Sequence, residues 1–583
     1  MATEQRRTVA KAAAENADNA GLEPQAGSSW RLWFVLVVLL IIAIVIAGKM
    51  FSLNVQEQEF LQGQGDARSV RATKLPAHRG LILDRRGEPL AVSAPVATVW
   101  ADPKNTDLQH PSISKLASYL KLKRARMVKR LSNRERRFLY LKRQVSPETA
   151  ERIRQLSIPG IHVDREYKRY YPAAEVASHL VGFTNLDGEG AEGIELAYQD
   201  WLSAEPGQEL VLKDRLGRTI KHIRSLAPAR HGEALKLTVD LRLQYMAYRE
   251  LKAAVKAHNA DGGSLVMLDA QSGEVLAMVN QPAYNPNDPK QRRSAALRNR
   301  ALTDIFEPGS TVKPLTVAAA LMSGKYKVNS EVDVSPGYLR IKGRTIRDHR
   351  NYKVLDLTGI IRKSSNVGTS KLALSLDEGS VRNMFYNVGM GRSTGTGFPG
   401  ERSGQLPYVK EKQVVERATM SYGYGLSVTA LQLAQSYLPL ANGGMLPPIT
   451  MVQDVATDNP IRVMPQDVAD SVLKMMETVT QKGGTGTRAA VPGYRVGGKT
   501  GTTHKVGGSG YLDDQYMSVF AGIAPISNPR LITVVVVDNP KGQEYYGGEV
   551  AAPVFSRSVA NALRLLNVTP DNWPEKKQVE KRR

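Results

Sequence analysis

Phe306 to Gly324 reads FEPGSTVKPLTVAAALMSG. Pro308 and Gly309 interrupt the chain just before a run of helix formers, so a helix is expected to begin at Ser310, with Lys313 three residues on and on the same face. A serine hydroxyl is a weak nucleophile at neutral pH and needs an adjacent base. A lysine serves if burial or a neighbouring cation lowers its pKa. Taken alone, the S-x-x-K spacing fits a capping serine and a surface lysine equally well.

Two further stretches change that balance. Downstream comes RKSSNVGTSKLALSL, in which Ser364 and Asn366 lie in a turn before a helix. There a hydroxyl can pass a proton and an amide can hold a carbonyl. Farther on is Lys499-Thr500-Gly501-Thr502, in a stretch that reads as strand. Lys499 and Thr500 offer a cation and a hydroxyl to an anion, and Gly501 leaves room for a close backbone approach. S-x-x-K, S-x-N and K-T-G in this order mark serine acyl-transfer enzymes of the β-lactam-reactive kind.

Three other matches fail on context. GYRVGGKT, Gly493 to Thr500, fits the phosphate-loop pattern, but TGTTHKVGGSGYL follows Lys499, rich in glycine and β-branched residues, where a phosphate loop requires a helix. Tyr516–Ala524 and Leu531–Asp538 read as strands joined by only PISNPR, so they pair antiparallel, unlike an ATPase core. GRSTG around Ser393 follows a helix rather than a strand, which excludes a nucleophile elbow. GTGFPG lacks the strand and helix of a dinucleotide site.

The chain of 583 residues has 79 Lys and Arg against 56 Asp and Glu, a net charge of +23, and 42% hydrophobic residues. That is enough apolar material for several packed cores. With no cysteine and only nine histidines, disulfides, thiolate metal sites and cysteine nucleophiles are excluded, and no histidine-built metal site or cofactor is expected. Residues 32–48, LWFVLVVLLIIAIVIAG, are apolar and uncharged between Arg31 and Lys49. At 17 residues behind a polar start of some 30, this stretch suits a membrane anchor better than a cleaved signal peptide. Arg6, Arg7, Lys11 and Arg31 keep the tail 1–31 cytoplasmic by the positive-inside rule, so the body lies outside and nucleic acid is not an expected partner.

The body divides by texture. A charged, loop-rich segment, 70–235, follows a juxtamembrane stretch, 49–69; a second segment, 236–565, precedes a basic tail, 566–583, that reads as disordered. Within the first, residues 121–143 carry 11 basic side chains and one acid, Glu135. A solvated helical face, an anionic lipid, a carboxylate-bearing wall polymer and a partner's acidic face are all open readings of it.

From about residue 70 to 560 the sequence resembles the class B penicillin-binding proteins, most closely their division-specific FtsI type. The likeness rests on RGLILDRRGEPLAVS from Arg79, the stretch Tyr171 to Gly207 and KDRLGR from Lys213 in the first segment. In the second it rests on TVDLRLQ, FEPGSTVKP, SSNVGTSKLAL, SYGYGL and YYGGEVAAPVF. It implies an α+β transpeptidase domain, an antiparallel sheet with helices on both faces, behind an elongated pedestal. The implied activity is cross-linking of peptidoglycan stem peptides outside the bacterial inner membrane, with β-lactam antibiotics as inhibitors. Carried onto this sequence, Ser310 is the nucleophile, Lys313 its base, Ser364 a proton relay and Asn366 a guide for the donor peptide. Lys499, Thr500 and Thr502 grip the terminal carboxylate, and the N–H groups of Ser310 and Thr502 form the oxyanion hole. Tyr545 and Tyr546 resemble an aromatic wall, although core aromatics are an equal reading. Thr503 and His504 depart from the family pattern. The glycosyltransferase domain of bifunctional relatives is missing, which implies a polytopic glycosyltransferase partner. A β-lactamase shares the three motifs, but the water-activating E-x-x-L-N is absent.

Overall fold

The computed structural model describes residues 29–56, 69–214, 219–292, 294–454, 458–508 and 510–572. The tail before residue 29, most of the juxtamembrane stretch, Arg215–Arg218 of the KDRLGR motif and the basic end of the chain lie outside them. The chain forms two compact units, one of residues 1–73 with 208–226 and one of 74–207 with 227–583.

In the first unit, helix α1 (Ser29–Phe51) overruns the apolar run by a few residues at each end, and Trp30–Val55 is long and apolar enough to cross a membrane. Strands Val70–Leu75, Gly207–Lys213 and Thr219–Ala227 form a three-stranded sheet in that order.

The second unit opens with a sheet whose central strand, β1 (Pro89–Ala101), is reached through helices α2 (Ile113–Tyr119) and α3 (Arg124–Leu131) by β2 (Leu139–Val145) on one edge. After α4 (Pro147–Gln155) it is paired by β3 (Ile161–Tyr170) on the other. Two-residue alternation sends Val99, Ala101, Leu139 and Leu141 into a core with Leu116, Met127 and Ile153 of the three helices. Nearby, Glu195 is fully buried between Arg79 and Arg169, each 2.6 Å away. Asp84 of RGLILDRRG, also buried, accepts the N–H groups of Arg86 and Glu88 at 2.8 Å and of Leu241 at 3.0 Å.

From Leu241 the chain builds the larger layer structure. Helix α5 (Leu241–Ala257) leads into β4 (Gly262–Asp269) and β5 (Val275–Gln281), which pair as an antiparallel hairpin across Ser272-Gly273. Helices α6 (Lys313–Met322), α7 (Leu357–Lys363), α8 (Asn366–Ser375) and α9 (Gln466–Thr480) follow. Then come β6 (Gly497–Gly507), β7 (Gly510–Ala524), β8 (Leu531–Asp538) and α10 (Gly547–Leu565). The sheet is antiparallel in the order β5-β4-β8-β7-β6. Both faces are buried, which is why β8 reads as an unbroken apolar run, LITVVVVD. Val535 and Val537 face α5 and α10 with Leu251, Phe520 and Phe555, while Val534 and Val536 face the helices on the other side. This is the expected α+β architecture. Strand β6 continues through Lys499 and Thr500, so the phosphate-loop match is a strand.

Candidate active site

Ser310 sits on a 3-10 turn, Gly309–Val312, that runs into α6. The turn needs its glycine. Gly309 has φ +54°, its N–H donates to Gly423 O at 3.1 Å, and a Cβ there would meet Thr503 Cγ2 at 2.5 Å. Helix α6 is buried from Lys313 to Ala320, so the lysine stem lies in an apolar helix and its ammonium reaches polar atoms only at its tip. Those atoms are Ser364 O at 2.5 Å, Asn366 Oδ1 at 2.7 Å and Ser364 Oγ at 3.2 Å, with the Tyr422 ring centroid 5.9 Å away. Among the described residues the Ser310 hydroxyl makes no hydrogen bond, so the expected Ser310–Lys313 pair is adjacent through one helical turn but not bonded. Catalytic hydrogen bonds commonly tighten only around substrate.

Ser364 closes α7 in the left-handed region, φ +58°. Such a backbone costs a non-glycine residue about 1–2 kcal/mol, and the surrounding contacts hold it in place. Its hydroxyl also receives Lys499 Nζ at 3.0 Å. Two fully buried lysines thus share one hydroxyl. Burial pushes Lys499 down to about 7. Lys313 is lowered well below the usual lysine range, first by burial and then by the Lys499 ammonium, against the opposing carboxylate of Asp348. A serine-activating amine needs this environment.

Asp348 has no signature in the sequence. It accepts Ser365 Oγ at 2.6 Å and the N–H groups of Asn366 at 2.6 Å and Val367 at 3.0 Å, a carboxylate clamped on the N-terminus of α8. Asn366 Nδ2 donates to Arg347 O at 3.0 Å, which fixes the amide with its oxygen toward Lys313.

Strand β6 is the edge strand of the sheet and lies along the Ser310 turn. Gly501 proves to serve that packing: a Cβ there would meet Thr311 Cγ2 at 2.9 Å and Pro308 O at 3.0 Å. Thr500 Oγ1 lies 3.4 Å from Lys499 Nζ and 2.9 Å from Thr485 Oγ1. Thr502 Oγ1 accepts the N–H of Gly547 at 2.9 Å, which leaves its own proton to donate. The departing residues face elsewhere. Thr503 is buried and donates to Glu307 O at 3.2 Å, while His504 Nδ1 pairs with Leu512 O at 3.1 Å.

Tyr545 and Tyr546 stack at 4.4 Å, and Tyr545 stacks on Tyr516 at 4.3 Å. Tyr546 is 43% exposed, so the column is a surface rather than a core cluster. Tyr516 was invisible in sequence because it is 29 positions from Tyr545 and joins it only through the sheet. Ser393, by contrast, is exposed in a loop and donates to Glu401 Oε1 at 3.1 Å.

The two larger segments of the chain match known protein families. Residues 263–560 match the penicillin binding protein transpeptidase domain and residues 74–237 the penicillin-binding protein dimerisation domain. The chain is 43% identical over 553 residues to peptidoglycan D,D-transpeptidase FtsI of Escherichia coli K12, covering 93% of each. The chain belongs to the penicillin-binding transpeptidases. This transpeptidase also superposes on a peptidoglycan synthetase from Bifidobacterium adolescentis with TM-score 0.69 and 26% identity over 87% of this chain and 98% of that one. Against the transpeptidase domain of Burkholderia pseudomallei penicillin-binding protein 3 the TM-score is 0.53, with 41% identity over 58% of this chain and 98% of that one. It is a serine-type peptidoglycan D,D-transpeptidase of the FtsI kind.

Proposed function

We propose that the Ser310 hydroxyl attacks the penultimate D-alanine carbonyl of a stem peptide and that Lys313, neutral in its buried site, takes the proton. The observation that carries this is the pair Lys313 and Lys499 on Ser364 Oγ. One amine there is pushed toward its uncharged form one turn along the chain from Ser310. The tetrahedral oxyanion is met by the N–H groups of Ser310 and Thr502, each donor contributing about 3–4 kcal/mol in comparable enzymes. Collapse breaks the peptide bond. Ser364 passes a proton to the departing D-alanine amine, and the acyl group stays on Ser310 Oγ. The amine of a neighbouring stem then attacks the ester, closing the cross-link and returning the proton through the same relay. Lys499, Thr500 and the free O–H of Thr502 hold the donor carboxylate, and Asn366 orients the donor backbone.

Septal synthesis in cell division is the setting, supported by the 43% identity to FtsI over nearly the whole chain. Residues 32–48 anchor the chain in the bacterial inner membrane as a single pass, with 1–31 cytoplasmic, 70–235 a pedestal and 236–565 the periplasmic catalytic domain. A polytopic glycosyltransferase and other division proteins are its partners. D-Alanine release from uncross-linked pentapeptide strands tests the chemistry. Release by the native chain and none by Ser310→Ala is expected; equal release by both overturns the assignment. Mid-cell accumulation of a functional fluorescent fusion tests the setting, and uniform lateral-wall fluorescence contradicts it.

A further inference from the structure

Between α6 and α7 the chain runs through YLRIKGRTIRDHRNYK, residues 338–353, with six basic side chains and one acid, Asp348. Strands Tyr338–Ile341 and Arg344–Arg347 pair as an antiparallel hairpin, Tyr338 opposite Arg347 and Arg340 opposite Thr345. Two-residue alternation gives the hairpin unlike faces. Ile346, with Leu339 and Ile341, packs against Ala418, Tyr422 and Tyr424. Tyr338, Arg340 and Arg347 share the other, exposed face, where the guanidinium carbons of Arg340 and Arg347 lie 5.4 and 5.6 Å from the centre of the Tyr338 ring. Arg350 is placed in the same way, 5.1 Å from the Tyr352 ring.

The hairpin ends at the catalytic cluster. The Arg347 carbonyl accepts Asn366 Nδ2 at 3.0 Å, and the His349 ring lies 6.5 Å from that of Tyr546. Tyr546 stands beside the proposed carboxylate grip of β6, since the next N–H, that of Gly547, donates to Thr502 Oγ1 at 2.9 Å. Residues 347–350 therefore form the rim of the cleft that faces the tyrosine column. Arg340, Arg347 and Arg350 form no ion pair among the described residues. The acid of their own segment, Asp348, is engaged by Ser365 Oγ and the N–H groups that open α8. Guanidinium groups held over aromatic rings lose less freedom when a carboxylate takes up their N–H groups.

An acceptor stem brings an amine to the Ser310 ester and, on the same short peptide, a terminal carboxylate. Lys499, Thr500 and Thr502 are placed for the donor's terminus, so the acceptor's needs a second cationic site a few peptide units from the ester. We propose that Arg340, Arg347 and Arg350 bind the carboxylate end of the acceptor stem peptide, and so select and orient the strand whose amine closes the cross-link. Bidentate pairing of guanidinium with carboxylate supplies the geometry. This rests on the peptidoglycan reading of the active site and assigns the acceptor side of it.

The test separates acceptor from donor. The full chain in detergent is acylated by a D-alanyl thioester, which releases its thiol and leaves the acyl group on Ser310. The acyl-enzyme then partitions between water and a soluble stem peptide offered with its terminal carboxylate either free or converted to the amide. In the ratio of transfer to hydrolysis the native chain should favour the free acid over the amide by about tenfold, and Arg340→Gln with Arg347→Gln and Arg350→Gln should abolish that preference. Arg340→Gln with Arg350→Gln, which leaves the residue bonded to Asn366 in place, should reduce it by about threefold or more. Acylation by the thioester and by penicillin at the native rate in both variants shows that the fold and the donor side are intact. A native chain that treats the two acceptors alike, or variants that keep the preference or slow both acceptors equally, overturns the proposal. An acidic protein or a lipid as the occupant of this face would give the first of these results. Failure of the peptidoglycan reading itself would appear earlier, as a native chain that neither the thioester nor penicillin acylates.

Discussion

Lys313 and Lys499 meet at the hydroxyl of Ser364, 3.2 and 3.0 Å from it, both fully buried. Two ammonium groups cannot share that site cheaply, so deprotonation is built into the fold. The acylating species has Lys313 neutral, hence the penicillin acylation rate rises with pH and levels off well below the ordinary lysine range. Lys499→Met removes the like charge that helps to lower Lys313. The rising limb of the stopped-flow pH profile should move to higher pH in this variant; a limb that stays put or moves down contradicts the coupling.

Asp348 acts with the opposite sign. Its carboxylate raises Lys313 and also holds the start of α8. Asp348→Asn should move the same limb to lower pH. Asp348→Ala, which also frees Ser365 and Asn366, should slow acylation about 100-fold, the usual scale for a misplaced catalytic group. A lower rate with an unmoved limb would leave only the structural part of the role.

The acid limb has a counterpart in stability. The folded chain lowers Lys499 to about 7, so its neutral form is favoured by folding. Stability from this group is therefore greatest above the unfolded lysine pKa and is lost as pH falls from there toward about 7. Lys499→Met should flatten that part of a melting-temperature profile; an unchanged slope would sink the assignment.

Much of this was legible in the sequence because the chemistry demands short patterns. Ser310 with Lys313 needs one helical turn, and Ser364 with Asn366 needs one turn before a helix. Strand β8 declared itself by an unbroken apolar run, and the decoy at Gly493–Thr500 failed because β-branched residues and glycines follow Lys499. What was not legible is tertiary. Asp348 reaches Asn366 across 18 positions, Tyr516 stacks on Tyr545 across 29, and Gly501 packs against Pro308 and Thr311. No spacing rule encodes such partners.

Glycine constraints make the packing testable. Gly309→Ala places a Cβ at φ +54° against Thr503 and should cost about 1–3 kcal/mol while abolishing acylation. Urea melts and β-lactam labelling read the two effects separately; full labelling at native rate contradicts the geometry.

Glu195 is a purely structural case. Removing it leaves Arg79 and Arg169 buried without a counter-charge, which typically costs about 3–5 kcal/mol. Glu195→Ala should unfold at clearly lower urea, whereas loss of less than about 1 kcal/mol would show that the site readmits water.

Mass spectrometry of the penicillin-labelled protein reads directly whether Ser310 carries the acyl group. One adduct is expected, on the peptide containing Ser310, and none in Ser310→Ala. An adduct on Ser364 or Ser393, or labelling that persists in Ser310→Ala, would contradict it.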